Sequence, residues 1–259
     1  MKIKHLIMIP NPEQMEKSIQ LANKYECDFE YNDFYLPAVL DDEKKKEKII
    51  SDYLALEELP QNCTMHGAFL DVTPFSDDPK IVEVSDLRIE QSLQIARKIG
   101  AKAVVFHTNF VPNFCVDYYC DSWVDRNQHY WKEKLEKYSD INIYMENMFD
   151  MSWELLEKLA KRLSAYSNFG VCFDYAHAHA FGDETQIEKW VKALSPYVKH
   201  IHINDNDFVS DLHLALGEGK IDWKRFKEYY ENYFPQASVL VEMKNLTDAE
   251  KSLEYIQTL

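Results

Sequence analysis

The chain has 259 residues, of which 46% are hydrophobic, six are glycine and nine are proline. This length and composition exclude collagenous, disordered and membrane-spanning proteins and predict a globular protein with a large core. The 29 Lys and Arg residues stand against 44 Asp and Glu residues, so the net charge of −15 argues against a diffuse basic surface for nucleic acid.

Short apolar runs rich in β-branched residues alternate with longer segments of helical periodicity, eight times along the chain. We predict strands at residues 3–9, 27–31, 62–66, 103–107, 141–146, 169–174, 198–204 and 238–242. We predict helices near residues 12–25, 42–58, 85–99, 127–138, 152–164, 184–194, 222–231 and 247–257. Ser85 and Asp222 are expected N-cap residues, and Thr247 with Glu250 forms a predicted capping box.

No linker or change of composition interrupts this alternation, which predicts a single domain over residues 1–259. Eight βα units in this length fit a (β/α)₈ barrel, because a doubly wound sheet usually has fewer strands and a glycine-rich first turn. We therefore predict an α/β fold, a single TIM barrel.

The cysteines are odd in number and lack CxxC spacing, which predicts reduced thiols in a cytosol. They are Cys27, Cys63, Cys115, Cys120 and Cys172. The N-terminal apolar run ends at Pro10 and is too short for a signal peptide. We expect a cytoplasmic protein with no membrane partner.

Six predicted strands carry, at or near their C-terminal ends, side chains that commonly bind metals: His66, His107, Glu146, Asp174, His202 and Glu242. The C-terminal strand ends of a barrel meet at one face, so these residues should converge on one pocket there. His177, Asp211 and His213 lie just beyond strand ends. Four carboxylates and five imidazoles in one pocket would force protonation unless cations were bound. The pattern predicts a metal cluster.

Mixed imidazole and carboxylate ligands suit Zn²⁺ or Mn²⁺ better than Mg²⁺ or Ca²⁺, which prefer oxygen ligands alone. Zinc is the predicted metal, with manganese as the alternative.

The motifs along the chain resemble those of the xylose isomerase-like TIM barrels. This superfamily, AP endonuclease family 2, includes the endonuclease IV type of apurinic/apyrimidinic endonucleases and many sugar and sugar phosphate isomerases and epimerases. The resemblance rests on Met65-His66-Gly67-Ala68-Phe69-Leu70, Phe106-His107, Met145-Glu146-Asn147, Phe173-Asp174-Tyr175-Ala176-His177, His202-Ile203-Asn204-Asp205, Asp211-Leu212-His213 and Glu242.

The resemblance implies two or three metal ions at the strand ends. One ion would bind Glu146, Asp174, His202 and Glu242; a second His66, His107 and Glu146; and a third His177, Asp211 and His213. The isomerase branch resembles the first group alone, with Glu146 and Glu242 as proton-transfer carboxylates.

Three departures separate the chain from the branches it resembles. The endonucleases carry Gly-Gln-Gly after the bridging Glu, where this chain has Met148-Phe149-Asp150, and the loop 32–37 lacks their basic residue. The epimerases carry an Arg a few residues after the strand-7 His, and residues 205–210 contain none. Insertion into duplex DNA is therefore not expected.

Charge counting separates two mechanisms. Three zinc ions, four carboxylates and one hydroxide leave about +1, which suits a phosphate, whereas one ion with three carboxylates leaves about −1, which suits a neutral polyol. We predict hydrolysis of a phosphoester of a small sugar-type substrate. The alternatives are a metal-dependent sugar or sugar phosphate isomerase or epimerase, and an AP-site DNA endonuclease.

Three further residues are candidates for substrate contact: Glu30, Phe69 and Trp123. His200 faces the same way as His202 but one layer deeper, which favours a core or supporting role. Residues 108–126 form a predicted lid loop whose aromatic residues either pack together or offer a stacking platform.

Overall fold

Eight parallel strands close into a barrel, with helices around the outside. The strands are β1 Leu6–Met8, β2 Cys27–Tyr31, β3 Thr64–His66, β4 Ala103–His107, β5 Asn142–Glu146, β6 Phe169–Asp174, β7 Val198–Ile203 and β8 Ser238–Val241. In this computed structural model, which describes residues 1, 3–56, 60–114 and 116–259, they follow one another in chain order, and β8 pairs with β1. The predicted TIM barrel is confirmed.

The helices connect successive strands and cover the barrel. They are α1 Met15–Tyr25, α2 Pro37–Leu40, α3 Glu43–Leu54, α4 Pro79–Ile99, α5 Asp117–Lys137, α6 Glu154–Leu163, α7 Tyr175–Ala180, α8 Ile187–Leu194, α9 Trp223–Tyr233 and α10 Leu246–Thr258. Short 3₁₀ turns occupy Pro12–Gln14, Pro112–Phe114 and Glu184–Gln186. Within the described ranges, no helix has the length and apolarity to span a membrane.

Side chains along each strand point alternately to the helix layer and to the barrel interior. In β4, Phe106 faces outward and contacts Trp131 of α5 with 5.1 Å between ring centroids. Its neighbour His107 faces the interior, as a strand with a repeat of two residues requires. Strand register then aligns candidate site residues, because His107 pairs with Glu146 and Asp174 pairs with His202.

Helix α4 begins earlier than predicted. Helix α4 begins at Pro79 after the N-cap Asp78, whose side chain accepts a hydrogen bond from the Lys80 amide. Ser85 is therefore not an N-cap: it lies inside the helix, and its hydroxyl accepts a hydrogen bond from the Thr73 amide. An aspartate followed by proline was the stronger start signal.

Much of the predicted lid loop 108–126 is helical, because α5 begins at Asp117. Trp123 of α5 is 1% exposed and packs against Phe75 and Phe110, and Phe110 also stacks on Tyr119. These aromatic residues pack with one another. Cys115 lies outside the described residues.

The N-cap of α10 lies two residues before the predicted one. The N-cap is Asn245, whose side chain accepts from the Asp248 amide and donates to the Asp248 carboxylate at 2.8 Å. The prediction at Thr247 was wrong, while the predicted cap Asp222 is confirmed. Helix α3 ends at Leu54, and residues 57 and 58 of its predicted range lie outside the described part of the chain.

Candidate metal centre

The strand-end residues converge at the C-terminal face of the barrel. His66, His107, Glu146 and Asp174 are the last residues of β3 to β6, His202 precedes the last residue of β7, and Glu242 follows β8. A cavity of about 260 Å³ opens at this face. Its lining includes His66, His107, Glu146, His177, Asp211, His213 and Glu242, while Asp174 and His202 are fully buried.

The first cluster joins three neighbouring strands. The Nε2 atoms of His66 and His107 lie 3.1 Å apart. Glu146 Oε2 lies 3.6 Å from His66 Nε2 and 3.4 Å from His107 Nε2. Three ligand atoms therefore face one point at the end of β3, β4 and β5.

The second cluster contains Asp174, His202 and Glu242. His202 Nδ1 lies 3.7 Å from Glu242 Oε2 and 3.4 Å from Glu146 Oε1. Glu146 thus faces the first cluster with one carboxylate oxygen and His202 with the other.

The third cluster lies at the open side of the cavity. Asp211 Oδ2 is 3.6 Å from His177 Nε2 and 2.9 Å from His213 Nε2. His213 has a φ of 51°, a left-handed conformation that is unusual for a residue with a side chain. Such backbone strain concentrates at functional sites.

The donor atoms in these clusters fit metal ions. In each cluster the ligand atoms lie within 4.8 Å of one another. Two ligands about 2.1 Å from one tetrahedral zinc ion would lie about 3.4 Å apart, close to the separations seen here. Buried oxygens of Glu146, Asp174, Asp211 and Glu242 have no hydrogen-bond partner, although such groups are normally satisfied. Both the spacing and the unpaired oxygens suit a cation.

The pKa values of two side chains in the metal-free site also indicate that added positive charge would be favourable. Burial, together with the Glu146 and Glu242 carboxylates, raises the pKa of Asp174 to about 7. Burial opposes protonation of His213, but Glu242 and Asp211 outweigh it and raise its pKa to about 9. Bound cations would replace these protons.

Backbone carbonyls orient two of the histidines. A carbonyl can only accept, so His66 Nδ1 donates to the Gly67 carbonyl at 2.9 Å and His177 Nδ1 donates to the Asn147 carbonyl at 3.0 Å. Their Nε2 atoms are left as lone-pair donors toward the clusters. Outer hydrogen bonds of this kind select the tautomer of metal-binding histidines.

Asn147 has a role that the sequence did not reveal. Its side chain donates to the Asp174 carbonyl and accepts from the Asp174 amide, both at 2.9 Å. These paired bonds join the ends of β5 and β6. An asparagine directly after the Glu146 strand end was the available signal.

Asp205 organises the loop that carries Asp211 and His213. Its buried carboxylate accepts from the Gly217 and Ile221 amides and from the Trp223 indole at 2.8–3.1 Å. Its backbone pairs with Leu214 in both directions at 2.9 Å, which places His213 beside the cavity. A Cβ atom at Gly219 would clash with Asp205 Oδ1, so the tight turn requires glycine.

The three predicted substrate contacts have different positions. Phe69 lines the cavity and packs against His66 and His107, with ring centroids 5.3 and 5.0 Å apart. Glu30 faces the barrel interior but lies beneath the clusters, and the cavity does not reach it. Trp123 is buried in the helix layer, away from the cavity, because α5 begins earlier than predicted.

Four cavity residues were not singled out from the sequence: Asn32, Tyr35, Met148 and Lys244. They come from the loops after β2, β5 and β8. Lys244 also lines a neighbouring cavity of about 430 Å³ that shares Asn32. Their position close to strand ends was the sequence feature that could have identified them; Lys244, for example, follows Glu242 by two residues.

The chain belongs to the xylose isomerase-like TIM barrel family, which residues 40–259 match. An uncharacterized protein of Methanocaldococcus jannaschii, MJ1311, is 26% identical over 201 residues, covering 74% of this chain and 68% of that protein.

Solved structures share the fold. A D-tagatose 3-epimerase-like protein has a TM-score of 0.75 and 22% identity, covering 97% of this chain and 96% of its own. The TTHB071 protein from Thermus thermophilus, soaked with ZnCl₂, has a TM-score of 0.69 and 21% identity, covering 100% and 97%. Endonuclease IV from the same organism has a TM-score of 0.64 and 16% identity, covering 98% of each chain.

Proposed function

We propose that this protein is a metal-dependent phosphoesterase that uses two or three zinc ions to hydrolyse a phosphoester of a small sugar-type substrate. The supporting observation is that all three ligand clusters are complete and adjoin one another. Proton transfer on a polyol requires one ion at the Asp174 cluster, and leaves His66, His107 and the third cluster without a role.

The charges of the cavity support an anionic substrate. With three zinc ions, the four carboxylates are over-neutralised by about two charges, and an exposed lysine, Lys244, adds a further positive charge at the wall. Lys244 and Asn32 lie where the two cavities meet, so they can hold a phosphate or a sugar hydroxyl.

In this proposal each side chain of the site has a defined role. His66, His107, Glu146, Asp174, His177, His202, Asp211, His213 and Glu242 would hold the ions, which would supply positive charge at the phosphoryl oxygens and an activated water. Phe69 and Tyr35 pack together, with 5.0 Å between ring centroids, beside His66 at the wall of the cavity.

The test measures the number of bound zinc ions and removes one ligand of the third cluster. Purified protein should hold two or three zinc ions per chain by elemental analysis. His213→Ala should lose one ion and lower phosphoesterase kcat by roughly 10²-fold or more with the barrel still folded by circular dichroism. His129→Ala, an exposed histidine on α5, is the control and should match wild type.

A second candidate is a sugar or sugar phosphate isomerase or epimerase. It is favoured by one observation, the approach of Glu146 and Glu242 to the same His202 nitrogen, at 3.4 and 3.7 Å, with both carboxylates lining the cavity. Two such carboxylates can exchange a proton with a substrate carbon. One ion per chain, with ketose interconversion that survives His213→Ala, would replace the phosphoesterase proposal with this one.

A further inference from the structure

A second polar layer lies in the barrel interior, directly beneath the metal clusters. It contains Glu30 of β2, Thr64 of β3 and His200 of β7, and His202 joins it to the layer above. Glu30, His200 and His202 are 0% exposed. Such burial is costly for a carboxylate unless its oxygens receive hydrogen bonds.

The Glu30 carboxylate has one hydrogen-bond donor and two imidazole nitrogens around it. Thr64 Oγ1 donates to Glu30 Oε2 at 2.7 Å. His200 Nε2 lies 3.3 Å from the same oxygen, and His202 Nε2 lies 3.4 Å from Glu30 Oε1. His200 Nδ1 is held from below by the Ser238 hydroxyl at 2.7 Å. Thr64 thus holds Oε2 of Glu30, while Oε1 has no hydrogen-bond partner and faces His202.

His202 presents its two ring nitrogens to different groups. Nδ1 faces Glu146 and Glu242 at 3.4 and 3.7 Å, and Nε2 faces Glu30. A neutral imidazole carries one proton, so the position of that proton decides which nitrogen can bind a metal. A proton on Nε2, donated to Glu30, leaves the Nδ1 lone pair directed at the Asp174 and Glu242 cluster.

We propose that Glu30 is a positioning residue that holds His202 in the tautomer able to bind metal through Nδ1. The proposal rests on the metal-dependent function above, and assigns to Glu30 a role without substrate contact. Carboxylate–histidine–metal arrangements of this kind fix both ring orientation and tautomer.

A competing arrangement uses the same atoms. Cys172, His200 and His202 have ligand atoms within 4.8 Å of one another, so an ion could bind in the lower layer. It would need the Nε2 lone pair of His202, and the proton would then occupy Nδ1 and face Glu146. The two arrangements require opposite tautomers of His202, which makes them experimentally distinguishable.

The experiment measures zinc affinity rather than turnover. Stepwise zinc dissociation constants would be measured by chelator competition for wild type, Glu30→Gln and Thr64→Val. Thr64→Val is the matched control, because it removes a hydrogen bond to the same carboxylate without touching His202. Glu30→Gln should weaken one zinc ion by about 10–100-fold, and Thr64→Val by less than about threefold.

A second measurement does not depend on how Glu30→Gln folds. In metal-free wild type, at a pH high enough to leave the imidazole neutral, ¹⁵N NMR should find the His202 proton on Nε2, with the signal assigned by its loss in His202→Gln. A proton on Nδ1, unchanged zinc affinity in folded Glu30→Gln, or loss of one zinc ion in Cys172→Ala would overturn the proposal. A wild-type protein that binds no zinc would refute the proposed function instead, while the tautomer would still decide the role of Glu30.

Discussion

Glu146 shows at the scale of one residue how the site depends on individual atoms. Its Oε2 faces His66 and His107, and its Oε1 faces His202. Burial opposes ionisation of Glu146, but His202 and His107 outweigh it and hold its pKa well below the usual range. A carboxylate placed in this way can bridge two ions.

Glu146→Gln should therefore reduce metal binding more than any change at the rim. The amide keeps the shape of the side chain but removes its charge, so the two adjoining clusters should both weaken. Calorimetric zinc titration should show weaker binding of two ions, against one ion for His213→Ala. Equal losses in the two variants would contradict bridging by Glu146.

At the scale of elements, the contact between α4 and α5 is held by Glu90. Its carboxylate accepts hydrogen bonds from Lys134, Lys137 and Tyr138 at 2.5–2.7 Å. Burial opposes ionisation of Glu90, but these donors outweigh it and lower its pKa to about 2 from an ordinary value of 4.5. The bonds therefore stabilise the fold in the ionised state.

A depressed carboxyl pKa stabilises the folded protein above the unfolded pKa, and that stabilisation is lost as the pH falls from about 4.5 to about 2. Glu90→Gln should lower the free energy of unfolding at pH 7 by about 1–2 kcal/mol, after allowance for solvent screening. Its difference from wild type should shrink over that acid range in urea denaturation with EDTA present.

Glu47→Gln is the matched control, because Glu47 makes a single exposed ion pair with Lys98 between α3 and α4. Its effect should be about 0.5 kcal/mol or less. A loss at Glu47 equal to that at Glu90, or a constant Glu90→Gln deficit down to pH 2, would contradict this account.

At the scale of the whole molecule, the net charge and the cavity wall both bear on the DNA endonuclease alternative. The chain carries −15, and its first arginine is Arg88. Phe69 packs on His66, His107 and Tyr35 at the cavity wall. Leu70 beside it is exposed.

We expect weak binding to an abasic DNA duplex, because DNA affinity depends on neutralising phosphates with Lys and Arg. A gel-shift titration over a range of salt concentrations should give little retention and a shallow salt dependence. An undamaged duplex of the same sequence is the control. Tight, steeply salt-dependent binding specific to the abasic duplex would favour the repair endonuclease.

Much of the fold was predictable because the eight strands and their helices repeat with clear periodicity. The errors lie at helix starts, where Asp78, Asp117 and Asn245 precede or open helices that the hydrophobic pattern begins later. The short helix that carries His177 was also missed, since six residues are too few to establish a helical repeat.

The order of residues along the chain was enough to predict that nine His, Asp and Glu side chains lie at or just beyond strand ends, because a repeat of two residues and a barrel topology bring strand ends to one face. Only the tertiary structure showed how far below the cavity each interior polar side chain lies and which residues it contacts. Alternation placed Glu30 inside the barrel, but the register of β2 against β3 set it below the cavity, beneath His202. Depth depends on strand stagger, and partners depend on side chains from distant strands, which no local pattern encodes.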